Sequence, residues 1–179
     1  MKKLTALLLV MALLLSAGSV LAGSAEKYEI RYDDRMIVET VIPEGYDVLR
    51  HDVEDGIFFI VLIPQNESGA TYALSIGPSD EYAELDRLND LPDEQLEAYA
   101  ATLYEDMNNP TVEERKTGMD TDLVLVNENG VEGDDYALLA TLYKGYELVN
   151  YIVHSDGSPV TEEDIVIAVQ FYTDMAFKF

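Results

Sequence analysis

Cysteine is absent from this 179-residue chain, and so is tryptophan. Without thiols there can be no disulfide, no thiolate metal site and no cysteine nucleophile, so stability has to come from packing. Histidine is nearly missing too, with His51 and His154 the only two. Basic residues are scarce: 11 Lys and Arg stand against 35 Asp and Glu, a formal net charge of −24. No G-x-S-x-G elbow announces a serine nucleophile, and no glycine-rich loop follows a strand to cradle a phosphate.

What is present begins with an address. Lys2 and Lys3, the apolar run from Leu4 to Leu15 and the small residues after it have the layout of a secretory signal peptide. Cleavage after Ala22 or after Ala25 suits a signal peptidase, so residues 1–22 are expected to be a signal peptide and 23–179 a single exported domain. The alternative is an uncleaved anchor, because Leu4 to Ala22 is close to spanning length. No cysteine follows the apolar run, which excludes a lipoprotein anchor. Without Lys2 and Lys3 there remain 9 basic against 35 acidic residues, a formal charge of −26. Such a field repels nucleic acid and anionic membrane surfaces, and attracts cationic partners and divalent ions. It serves equally well for solubility outside the cell or tolerance of salt.

The first half after the signal segment reads as short strands with turn residues between them: 27–32, 35–42, 44–54, 57–64 and 70–78, an antiparallel meander. Ser79 is placed to cap a short helix through 80–88. Pro92 suits the first position of a helix over 92–107, with Asp93 and Glu94 in its first turn. Leu96, Tyr99, Ala100, Leu103 and Met107 form its apolar stripe. Strands return at 111–117, 122–128, 134–143 and 146–154, the last two joined by Lys144-Gly145 in a tight hairpin. Thr161 caps a closing helix whose buried stripe is Ile165, Ala168, Val169, Tyr172, Met175 and Ala176, with Phe179 extending it. The pattern predicts an α+β fold, an antiparallel β-sheet flanked by helices with a C-terminal amphipathic helix.

The order "IPEGYDV…DGIFFIVLIP…TYALSIGP", a central amphipathic helix, "GDDYALLATLYKGYELVNYIV" and a closing "DMAFKF" resembles the PsbP-like family, the photosystem II extrinsic protein and its bacterial secreted relatives. The resemblance implies an α/β/α layering and a role as a binding or assembly module rather than an enzyme. It departs at Tyr46, where relatives often have Trp, and at Ala176-Phe177, where Ser-Phe is common. No functional residue of the plant protein has a counterpart that could be carried over.

Four chemistries are conceivable for these residues. His154, Ser155 and Asp156 adjoin in "HSDGS", but triad members meet through the fold, and a strand end running into an Asp-Gly turn explains them. His51 reads as an ordinary surface histidine on a strand. Acid-based hydrolysis, for example of glycosides, needs two carboxylates across a cleft, and 35 acids make such pairs unavoidable. The 12 tyrosines suit core packing better than a sugar-stacking face, with Tyr99 and Tyr172 on helix stripes. For divalent cations, "NENGVEGDD" fails the EF-hand spacing: with Gly130 at position 6, Leu125 falls at position 1 and Tyr136 at position 12. A weaker calcium site from Asn127, Asn129, Asp134 and Asp135 stays open beside the plainer reading, a hairpin connection. No cofactor is expected.

Overall fold

The computed structural model describes residues 27–31, 37–54, 56–66, 68–105, 107, 110–117, 120–127 and 135–178. The elements run β1 (Lys27–Arg31), β2 (Ile37–Val41), β3 (Tyr46–Glu54), β4 (Ile57–Pro64), β5 (Thr71–Pro78), a 3-10 turn (Leu88–Asp90), α1 (Asp93–Leu103), β6 (Pro110–Thr117), β7 (Asp120–Asn127), β8 (Tyr136–Tyr143), β9 (Tyr146–Val153), α2 (Glu162–Thr173) and β10 (Ala176–Lys178). Seven strands form one sheet in the order β3-β4-β5-β9-β8-β7-β6, and β1, β2 and β10 form a second with β2 in the middle. Every strand pairing among the described residues is antiparallel. The fold is therefore α+β with an antiparallel sheet, as the pattern predicts. The expected five-strand meander is split: β1 and β2 leave it for the small sheet.

Side-chain alternation sorts the large sheet into two packed faces. Phe58, Ile60, Leu62, Tyr72, Leu74, Ile76, Leu139, Leu148 and Ile152 are buried with Ile165, Ala168, Phe171, Tyr172 and Met175 from α2 and its end. On the other face Leu123, Leu125, Leu138, Leu142 and Tyr151 are buried with Leu88, Leu91, Tyr99, Ala100 and Met107. Each fully buried side chain of this size contributes about 1.5–3 kcal/mol. The cores form because alternate strand residues and every third or fourth helix residue are apolar.

Three boundaries differ from the sequence pattern. The expected helix at 80–88 is a run of turns ending in the 3-10 turn. Its backbone is taken up by the β8–β9 hairpin: Ser79 N–H donates to Gly145 O, Lys144 N–H to Asp86 O, and Gly145 N–H to Leu85 O, all at 2.8–2.9 Å. Groups bonded sideways to a hairpin are unavailable to a helical ladder. Secondly, α1 starts after Pro92, which is its N-cap, and stops at Leu103, with Met107 buried beyond its end. Pro110, the first residue of β6, disfavours helical backbone just before it. Thirdly, α2 ends at Thr173, and Ala176–Lys178 pair with β2 instead of extending the helical stripe. Ala176 is accordingly exposed, while Phe171 joins the buried stripe.

The Lys144-Gly145 hairpin is as expected, with φ of 48° and 77° at the two residues, a pairing suited to a type I′ turn. A Cβ added at Gly145 would lie 2.6 Å from the main-chain oxygen of Ala83. Gly145→Ala is therefore expected to cost about 2–3 kcal/mol, combining left-handed strain with the clash. Urea unfolding measures it; a loss under 0.5 kcal/mol would contradict this packing of the hairpin on the 79–87 segment.

Candidate functional site

The described residues with the most interlinked polar chemistry meet at the amino end of α2. Thr161 caps the helix: its side-chain oxygen accepts from Asp164 N–H at 3.3 Å, and Asp164 Oδ2 accepts from Thr161 N–H at 2.8 Å. The T-x-x-D spacing of residues 161–164 is a capping box. The same Oδ2 also takes the Thr161 hydroxyl at 2.6 Å and lies 2.9 Å from His154 Nε2, just past the end of β9. With Asp164 ionised, Nε2 of His154 is the donor in this contact. Behind the pair, the Tyr72 hydroxyl donates to the main-chain oxygen of Asp164 at 3.1 Å, and Tyr46 packs edge-on to Tyr72 with ring centroids 5.3 Å apart.

Burial alone would raise the Asp164 carboxyl, but the Thr161 hydroxyl, His154 and the Thr161 N–H together hold it below the usual carboxylate range. Burial pushes Tyr72 up, with its hydrogen bond to Tyr46 adding to the shift. Burial likewise raises Tyr46. The arrangement joins β3, β5, β9 and α2 through side chains that satisfy one another. Two of the three members of a catalytic triad, an imidazole and a carboxylate, meet here, with the carboxylate oxygen crowded by three internal donors.

A second buried polar group lies on the same sheet face, beneath α2. Asp122, Thr141 and Asn150 are each 0% exposed. They alternate with the apolar residues of β7, β8 and β9, and the Tyr172 hydroxyl donates to Leu139 O at 2.9 Å among them. The Asn150 amide has no hydrogen-bond partner among the described residues. Burial and then the negative charge of Asp122 push the Tyr172 phenol well up, with the main chain of Asn150 pulling slightly the other way.

Tyr72, Tyr99 and Tyr172 all have raised phenols, each chiefly through burial. A group whose folded pKa exceeds its unfolded one stabilises the fold below the unfolded value and loses that contribution as pH rises through the folded value. These tyrosines should therefore ionise only as the protein unfolds, above about pH 10. Near-ultraviolet tyrosinate absorbance against pH should show exposed tyrosines titrating first and a later, cooperative step coincident with loss of ellipticity. A single non-cooperative titration would contradict the burial.

The residues expected to bind a cation are only partly placed. β7 and β8 pair up to Val126 with Ala137, so Asn127 and Asp135 stand at the mouth of one connection, as a hairpin reading requires. Asn129 and Asp134 lie outside the described residues. Among the described residues no group of three or more His, Cys, Asp or Glu is placed to hold a metal ion. His154 follows β9 into a turn, with Gly157 N–H donating to its carbonyl at 3.1 Å, but it is buried. His51 is exposed on β3, edge-on to Tyr28 at 5.3 Å. The Thr161–Asp164 cap is visible in sequence; that His154 completes it is a tertiary fact with no local signal.

No helix among the described residues is long and apolar enough to cross a membrane. A scan against protein-family models finds no match for the chain, and no curated protein matches it.

Proposed function

We propose that this chain is an exported, non-catalytic α+β module, PsbP-like in its layering, that binds another macromolecule in an extracytoplasmic assembly. The observation carrying this reading is the use made of His154 and Asp164. The groups best suited to proton transfer are bound to each other and to Thr161, where they fasten α2 to the sheet. A carboxylate oxygen holding three donors is a joint. The large sheet, with α1 on one face and α2 on the other, is in keeping with the layering that the sequence resemblance implies. The surplus of acids marks cations and cationic surfaces as partners.

Pull-down from the envelope fraction of the producing cell tests the role. A specific partner is expected; recovery no greater than with a charge-matched control protein would sink the proposal. A broad glycoside and peptide substrate screen is expected to show no turnover.

A second reading, a calcium-responsive protein, is favoured by one observation: the pairing of β7 with β8 brings Asn127 and Asp135 to the same connection. Calorimetric titration with calcium decides it. Absence of heat and of any rise in melting temperature at millimolar calcium would end that reading.

A further inference from the structure

The large sheet is covered unevenly. On the α2 side, Val38 and Ile42 belong to the same buried cluster as Phe58 and Ile60, so the cover continues over β4. On the other side, the 3-10 turn packs on β7 and β8, and Phe59 and Ile63 of β4 stay half-exposed, with Ala73 and Ser75 of β5 beside them. The register of β3 slips between Val48 and Arg50, a bulge at Leu49. Beyond it Arg50, Asp52 and Glu54 stand opposite Val61, which is buried, and Phe59 and Ile57, which are half-exposed. Arg50 donates from Nε to Asp52 Oδ2 and from Nη2 to Glu54 Oε2, both at 2.7 Å. Its guanidinium carbon lies 5.7 Å from the centroid of the Phe59 ring. Asp47, opposite Ile63, borders the far end of the strip.

We propose that this β3–β4–β5 surface docks a cationic amphipathic segment of a partner protein, and that Arg50 fills in the free protein the place of the partner's Lys or Arg. The inference rests on the assembly role proposed above and gives that role a surface. Two carboxylates converging on a cation over an aromatic face make a formed cation site. Arg50 occupies it from its own edge strand, on a flexible side chain whose release into water is inexpensive at an exposed ion pair. An incoming cation would replace one set of ion pairs with an equivalent one. The net gain then comes from removing Phe59 and Ile63 from water, which requires the segment to be apolar on one face. The charge selects among occupants: a second copy of this acidic chain or an anionic lipid surface meets repulsion at this border, whereas a basic segment meets attraction.

The test uses a labelled helical peptide of Leu and Lys and a Ser/Lys peptide of equal charge, followed by fluorescence anisotropy on the protein and its variants. The Leu/Lys peptide should bind about tenfold or more tightly than the Ser/Lys peptide, and Phe59→Ser should remove about tenfold of that. Arg50→Ala should tighten binding several-fold by opening the site. Arg115→Ala is the charge control, since it removes another ion-paired guanidinium, held by Glu113 and Glu162, from elsewhere on the surface. It should leave affinity unchanged. Should Phe59→Ser fail to fold, Asp52→Asn with Glu54→Gln, both at exposed positions, must weaken binding in its place. Equal binding of the two peptides, or equal gains from both arginine variants, would reduce the effect to a general field and overturn the proposal. Self-association of the protein that Phe59→Ser abolishes would also overturn it, by making a second copy the occupant. Repeating the pull-down with Phe59→Ser separates the two levels. A partner recovered by both proteins leaves the assembly role standing and removes this surface; no partner for either removes the role itself.

Discussion

Replacing Asp164 by alanine is expected to lower the melting temperature by about 6–12 °C, equivalent to about 3 kcal/mol for a chain of this length. Asp164 is 6% exposed, and its Oδ2 receives His154 Nε2, the Thr161 hydroxyl and the Thr161 N–H. The substitution removes the acceptor of all three donors: buried His154 is left stranded, while water can reach the donors of exposed Thr161. Asp164→Asn keeps one acceptor oxygen and should lose about half as much. The pH dependence has a definite sign. Because the folded carboxyl lies below its ordinary value, its contribution is complete above about pH 4 and fades as pH falls toward the folded value. The gap between wild type and Asp164→Ala should thus narrow only in acid. Differential scanning calorimetry from neutral pH downward measures it; a gap already closed at pH 6 would show that the cap is not anchored by the ionised carboxylate.

Tyr172→Ala should cost about 4 kcal/mol, the larger of the two effects. Tyr172 is 0% exposed and lies between α2 and the sheet, where its ring is surrounded by cluster residues on both sides. Truncation leaves a ring-sized cavity that the close-packed strands cannot collapse to fill. Tyr172→Phe keeps the ring and gives up the hydrogen bond to Leu139 O, a loss of about 1 kcal/mol. It also removes a phenol whose folded pKa is raised, so the variant should lose less stability than wild type above about pH 10. Chemical denaturation at neutral and alkaline pH gives both numbers. If Phe and Ala cost the same, the ring does not fill the space described for it.

Most of the strands and both helices are legible because period is a local property. "IFFIVLIP" and "YALLATLY" are apolar runs too short for a core helix, and residues 93–103 and 162–173 carry a helical stripe. What escaped depends on distant partners. The segment 80–88 has helical composition, yet its main chain is occupied by a hairpin some 60 residues later. Residues 176–178 continue a helical pattern but find a strand partner in β2 near the other end of the chain. The two polar groups illustrate the same limit. Thr161 and Asp164 announce a cap by their spacing, whereas Asp122, Thr141 and Asn150 become neighbours only once β7, β8 and β9 align.

The pairing of β10 with β2 has a consequence for how the molecule comes into being. Ala176, Phe177 and Lys178 close on Glu39, Val38 and Ile37, and β9 enters the large sheet between β5 and β8. A chain made from its amino end must therefore hold β1–β5 with an unpaired β5 edge until residues 146–153 arrive, and an incomplete small sheet until 176–178 do. Both sheets are completed by the last third of the polypeptide. Such wide sequence separation slows folding and makes it a late, collective event.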